Sequence, residues 1–221
     1  MTMPKRRRDS TLSANEVEHK ANKTMTPEQT AASYNRIAEH WDCPEFDRSN
    51  GIAQHERALQ FVSKFGSALD IGCGSSGRII ELLLNHGFGV EGLDMSQEML
   101  KRARKHHPGV RFHLADVCSW AFQKDFDFIS AWDSIWHVPL HEQLSVLRKI
   151  CGGLARGGVL IFTTGGVEEP EELIANNFGY PLYHAAPGIY PVLRTLEESG
   201  CLCRHLEYDQ EKHVYVIAQR A

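Results

Sequence analysis

The run Ala68-Leu69-Asp70-Ile71-Gly72-Cys73-Gly74-Ser75-Ser76-Gly77 passes from an apolar strand pattern through a glycine-rich turn into a helix pattern. Glycine lacks a Cβ and tolerates unusual φ/ψ, so a ligand can lie against the backbone of such a turn. Gly72, Gly74 and Gly77 satisfy G-x-G-x-x-G, which by itself would suggest NAD as well as any other nucleotide-like cofactor. Asp70 separates the choices. It stands where a dinucleotide would set its doubly negative pyrophosphate, and each like charge at about 6 Å, with an effective dielectric near 20, costs roughly 3 kcal/mol before screening. The same carboxylate attracts a ligand that carries ammonium or sulfonium charge.

Further chemistry-bearing residues close the following apolar runs. Asp94 ends Gly92-Leu93-Asp94, and Asp116 ends Leu114-Ala115-Asp116. His137, in Asp133-Ser134-Ile135-Trp136-His137-Val138-Pro139, follows the fourth strand pattern on the side where open parallel sheets bind ligands. An imidazole titrates in the range a general base needs; the plainer alternative is a histidine that bonds the loop backbone. Trp132 and Trp136 offer flat apolar walls to a ligand, or serve as core aromatics. Asp133 suits a basic group or a partner for His137. Tyr180, Tyr183 and His184 are grouped closely enough to cap a substrate, and a solvated loop accounts for them equally well.

These residues need a scaffold of alternating strands and helices. Short apolar runs at Ala68–Ile71, Gly89–Leu93, Val110–Leu114, Phe126–Ala131 and Val159–Thr163 alternate with amphipathic helices at Gly77–Asn85, Ser96–His106 and His141–Leu154. That alternation predicts an α/β fold with a parallel sheet covered on both faces. Upstream, Thr26-Pro27-Glu28-Gln29 reads as an N-cap with proline at the first helical position, opening a helix towards Trp41, and a second helix is expected over Ile52–Phe65. A stretch from Gly165 to Pro187 reads as irregular, a lid or substrate-side insertion. A last helix, Tyr190–Ser199, and strands Leu202–Tyr208 and Val214–Gln219 close the chain as a hairpin. Cys201 and Cys203 share one face of that strand and read as buried thiols.

Composition narrows the function classes. The chain has 221 residues and a formal net charge of -4, with one dense basic run, Lys5-Arg6-Arg7-Arg8. A nucleic-acid partner is therefore disfavoured, and the run reads as part of a solvated, disordered leader over residues 1–25. No apolar stretch reaches membrane-spanning length and no secretory signal is evident, so a cytoplasmic protein is expected. The six cysteines lack a CxxC pair, and His106, His107 and His113 lack a second ligand at metal spacing, so no metal is expected. No feature specifies an oligomeric state.

Leu69-Asp70-Ile71-Gly72-Cys73-Gly74 resembles the first motif of class I, Rossmann-like S-adenosylmethionine-dependent methyltransferases of the small-molecule type. Ser76 departs from the family's third glycine, and Gly77 follows one residue later. The resemblance implies a seven-stranded, mostly parallel sheet with helices on both faces and a C-terminal antiparallel hairpin. Within a single domain, 26–221, it implies a helical cap at 26–65, a cofactor core at 66–164, the insertion at 165–187 and a final helix and hairpin at 188–221. Asp94 resembles the acceptor of the ribose hydroxyls and Asp116 that of the adenine amino group, with Met95 and Val117 as neighbours in the cofactor site. Asp70, Gly72, Cys73, Gly74 and Trp132 complete the expected cofactor set. Tyr34-Asn35-Arg36-Ile37-Ala38-Glu39-His40-Trp41 resembles the opening helix of small-molecule members, whose tyrosine closes over the donor. Core packing explains Tyr34 equally well, and is favoured for Trp41.

The implied activity is methyl transfer from S-adenosyl-L-methionine to a small-molecule acceptor, leaving S-adenosyl-L-homocysteine. His137 is the candidate base, and Asp133, Trp136 and Tyr183 are the acceptor-side candidates. The alternatives are a module that binds the cofactor without turnover, and an NAD-dependent oxidoreductase.

Overall fold

The structure is a computed structural model describing residues 24–210 and 212–221. Most of the expected leader, including the basic run, lies outside the described residues. Helix α1 spans Pro27–Ile37 and begins with a capping box: the Gln29 amide donates to Thr26 Oγ1 (3.3 Å) while the Thr26 amide donates to Gln29 Oε1 (2.9 Å). A 3-10 turn, Ala38–Trp41, continues it. Helix α2 is confined to Ile52–Leu59, shorter than expected, because the amides of Phe61 and Val62 bond the carbonyls of Ala58 and Leu59 in tight turns that unwind the helix.

The sheet strands are β1 Ser67–Ile71, β2 Gly89–Asp94, β3 Arg111–Leu114, β4 Phe126–Ala131 and β5 Leu154–Gly165. Between them run α3 Arg78–Asn85, α4 Gln97–His106 and α5 Leu140–Gly152. Strands β6 Glu171–Asn177 and β7 Tyr180–Ala186 pair only with each other; α6 Ile189–Glu198, β8 Cys201–Gln210 and β9 His213–Arg220 complete the chain.

The seven-stranded order is β3-β2-β1-β4-β5-β9-β8, with β1 to β5 parallel and β9 antiparallel to both neighbours. Alternation along the strands splits the core. Leu69, Ile71, Ile129 and Leu160 pack with Val146 and Ile150 of α5, whereas Ala68, Phe128 and Val159 pack with Ile80 and Leu83 of α3. Each such buried aliphatic side chain contributes about 1.5–3 kcal/mol. Chain order reverses between β1 and β4, and it is outside the carboxyl ends of strands at such a point that open α/β sheets leave a crevice.

Three expectations change. Strand β5 begins five residues before Val159: Gly157-Gly158 form an irregularity inside it rather than the turn before it, with Gly157 at φ 76° and the register shifting between Phe126 and Phe128. The stretch after Gly165 is not irregular, since β6 and β7 form a hairpin around Phe178 (φ 52°) and Gly179 (φ 86°). Positive φ at both central residues matches the right-handed twist of the strands. Pro181 lies in β7, where a strand reading of the sequence would not put it. Cys201 is buried as expected, but Cys203 is exposed, so the expectation of a buried thiol fails at the second cysteine. No described helix is long and apolar enough to cross a membrane, and no described group of His, Cys, Asp and Glu is placed to hold a metal ion.

Candidate active site

The crevice at the reversal point is a cavity of about 1040 Å³, its mouth included. Its floor is the glycine turn. Gly72, Gly74 and Gly77 all have positive φ (68°, 59° and 65°), the left-handed region that favours glycine. A Cβ on Gly72 would strike Ser134, and one on Gly77 would strike the His107 ring. At Gly74 nothing lies within 4 Å, so the backbone there faces open space of the cavity. Gly77 also forms the N-cap of α3, so the glycine displaced by Ser76 starts the helix one residue later. Arg48 and Arg78 brace the turn: Arg48 Nη1 donates to the Ser76 carbonyl (2.9 Å) and Arg78 Nη1 to Ser76 Oγ (3.1 Å).

Buried polar atoms nearly always find partners, so exceptions mark unfilled roles. Among the described residues, the hydroxyls of Thr30, Ser75 and Ser134 are buried without a hydrogen-bond partner. All three residues line this cavity. They come from α1, the glycine turn and the segment after β4, and so converge from separate elements.

The carboxylates sit at different depths. Asp94 lines the cavity and already accepts from the Gly74 amide (2.9 Å) and the Ser96 amide (2.8 Å); burial raises its pKa against those backbone donors. Asp116 lines the cavity with one oxygen on the Cys118 amide (2.8 Å). Asp70 does not line it. It lies beneath the turn, register partner of Ser130, and burial pushes its pKa up to about 7 although Ser130 and Arg78 oppose the shift. The Ser130 hydroxyl is itself held by His55, whose Nε2 lies 3.0 Å away while its Nδ1–H donates to the Gly51 carbonyl (2.6 Å). Asp70 is therefore only partly ionised at neutral pH, and it would repel a pyrophosphate less than a full charge does.

His137 lines the cavity but is already engaged. Burial and nearby His184 push its pKa down to about 3, so the ring is neutral. Its Nδ1–H donates to the Tyr183 carbonyl (2.6 Å), which leaves Nε2 to accept from the Tyr34 hydroxyl (2.7 Å) and the Trp136 indole (3.1 Å). Tyr34 meets Trp41 edge to face at 5.5 Å, and both line the cavity. Burial raises the Tyr34 pKa further, keeping the phenol protonated.

Of the residues expected at the cofactor, Tyr34, Gly72, Cys73, Gly74, Asp94, Met95, Asp116, Val117 and Trp132 line the cavity, and only Asp70 lies behind its wall. On the acceptor side Asp133 lines it, at φ 50°, with its amide donating to Thr163 Oγ1 (2.8 Å). Tyr183 does not. Its side chain is buried, with the hydroxyl donating to Glu172 Oε2 (2.6 Å) and accepting from the Leu140 amide (3.0 Å), so its site contribution is the carbonyl that holds His137. Trp136 faces a second cleft instead, beside His213 and Phe178. The sequence reading missed Arg78 and Asn50. Asn50 bridges Trp132 and Asp133, receiving the Trp132 indole N–H (3.3 Å) and donating to Asp133 Oδ2 (3.2 Å).

Residues 68–158 match a family described as a methyltransferase domain. A trans-aconitate 2-methyltransferase of Variovorax paradoxus (strain S110) is 42% identical over 117 residues, 52% of this chain and 44% of that protein. Another of that name, from Rhizobium leguminosarum bv. trifolii (strain WSM2304), is 35% identical over 114 residues, 51% of this chain and 41% of that one. The matched region thus spans less than half the length of these curated relatives. Among solved structures, the DhpI-SAH complex superposes with a TM-score of 0.69 at 17% identity, covering 88% of this chain and 97% of that one, a likeness of fold.

Proposed function

From the premise that residues 68–158 are a class I, Rossmann-like methyltransferase domain, we propose that the chain transfers the methyl group of S-adenosyl-L-methionine to a small-molecule acceptor. The observation that carries this reading is the convergence of Thr30, Ser75 and Ser134 on one cavity, each with an unpartnered buried hydroxyl, around the open backbone at Gly74. A compact ligand rich in polar groups at one end supplies those partners; a purely apolar one does not. The solved relative that carries SAH on this fold supports the same choice.

The residues then divide the work. Gly74 would let the cofactor's amino-acid end approach the backbone, with the Thr30, Ser75 and Ser134 hydroxyls to bond it, while Gly72 makes room for Ser134. Asp94 takes the ribose hydroxyls with the lone pairs its two amide contacts leave free, and Asp116 takes the adenine edge beside Val117 and Met95. S-adenosylmethionine supplies an electrophilic methyl on a sulfonium, and transfer is an in-line displacement that needs positioning more than covalent help. Asp133 and Trp132 border the acceptor side. His137, neutral and capped, is a positioning residue: it fixes the Tyr34 hydroxyl over the cavity, and its low pKa makes it a poor proton acceptor. A cytoplasmic place belongs to the same reading.

The test is label transfer. Purified protein is incubated with methyl-labelled S-adenosylmethionine and a small-molecule extract. Label entering the small-molecule fraction, and lost with Asp94→Ala, is the expected result. Intact S-adenosylhomocysteine binding with no transfer to any acceptor would instead establish a binding module without turnover.

A further inference from the structure

The second cleft adjoins the first and shares Phe46, Asn50 and Asp133 with it, so a molecule seated there reaches the donor cavity. With its open mouth it has a volume of about 1780 Å³. Its walls are aromatic: Trp136 on one side, and Phe178 from the hairpin tip stacked on His40 at 3.9 Å on the other. Its polar lining is acidic. Glu45, Asp47, Asp133 and Asp209 face it, and among the described residues no lysine or arginine lines it.

Two imidazoles stand among these carboxylates, His40 against Phe178 and His213. His213 is clamped between Asp133, whose Oδ1 lies 3.1 Å from Nε2, and Asp209, which bonds Nδ1. Even with both imidazoles protonated, four carboxylates face two cations. Arg78, which lines the adjoining cavity, acts on Asp47 and Asp133 from outside the cleft; a polycarboxylate entering the cleft itself still meets an excess of like charge, and an ammonium meets carboxylates and aromatic faces together, the combination that recognises organic cations.

We propose that this cleft is the acceptor site and that it selects molecules carrying a basic nitrogen, excluding polycarboxylates of the kind named for the trans-aconitate relatives. This rests on the methyltransferase reading above for its place in the reaction, while the charge selection stands on the cleft itself. The four carboxylates come from three separate places, residues 45 and 47 of the cap, 133 after β4 and 209 in β8. Selectivity therefore arises only in the folded chain.

The test uses the full chain saturated with S-adenosylhomocysteine and titrated at pH 7 with phenethylamine, an aromatic ammonium, and with tricarballylate, a tricarboxylate. Phenethylamine is expected to bind, more tightly at low salt, and tricarballylate not. Asp209→Asn should weaken the amine about tenfold, and Gln54→Lys, which sets positive charge beside Asp209 in place of the Gln54 amide contact (3.5 Å), should do likewise, each leaving S-adenosylhomocysteine affinity unchanged. Tighter binding of tricarballylate, or binding of neither compound to the saturated protein, overturns the proposal. Failure of S-adenosylhomocysteine to bind at all would overturn the methyltransferase reading instead, and leaves the amine titration of the free protein to judge the cleft.

Discussion

The donor cavity and the neighbouring cleft differ in how they are built. The cavity's floor is made of consecutive residues: Gly72 to Gly77 form one turn, and Asp94 and Asp116 end the next two strand regions. The cleft is assembled from segments far apart in the chain, with Glu45, Trp136, Phe178 and His213 meeting only after the cap, the hairpin and the last strand pack together. A turn whose geometry depends on glycine backbone leaves a local mark in the sequence. A cleft built by long-range packing leaves none, so its chemistry can vary while the cavity stays constant.

That contrast can be broken first at Asp94. Asp94→Ala deletes the acceptor of two backbone amides and, on the proposed function, of the cofactor's ribose hydroxyls, and S-adenosylhomocysteine affinity should fall about 100-fold by calorimetry. A smaller effect on Asp94→Ala than on any cleft variant would reverse the roles given to the two regions.

Stability separates the glycines themselves. Gly72→Ala drives a Cβ into Ser134 at positive φ and should cost about 2–3 kcal/mol in urea unfolding. Gly74→Ala has space for its methyl, should cost only about 1 kcal/mol, and should instead lower cofactor affinity by filling the cavity. Equal effects of both changes on stability and affinity would remove the distinction.

Next comes pH. The Asp70 carboxyl is held at about 7 in the folded protein and near the ordinary carboxylate value when unfolded, so the folded state binds the extra proton between those limits. Stability should therefore fall as pH rises from about 4 through 7, by on the order of 3 kcal/mol, and Asp70→Asn should flatten that slope in denaturant titrations at pH 5.5 and 8. A slope unchanged by the substitution would show that Asp70 titrates normally.

The smallest effect is expected at His137. If it positions Tyr34, His137→Gln, which keeps a hydrogen-bond acceptor, should retain turnover within about threefold, and His137→Ala should lose more, with the pH–rate profile between pH 6 and 9 keeping its shape in both. A limb of the profile that vanishes in both variants would make His137 the base.

Much of the fold was legible before the structure. The parallel strands, their helices and the terminal hairpin follow from apolar periodicity, and nine of the ten cofactor-side residues line one cavity because a motif-bearing turn fixes its own surroundings. What escaped had physical reasons. Proline in β7 hid the hairpin, and the glycines inside β5 looked like a turn. Sequence carries no measure of burial, so from sequence alone Asp70 reads as fully charged. Tyr183 looked like a substrate contact because its phenol was visible in the sequence, whereas the group that matters is its backbone carbonyl. Arg78, Asn50 and His213 gained their roles only through partners distant in the chain.

The most direct measurement is parallel calorimetric titration of the purified protein with S-adenosylhomocysteine and with NADH. The account expects S-adenosylhomocysteine to bind at about one per chain with no heat from NADH; saturable binding of NADH with none of S-adenosylhomocysteine would contradict it.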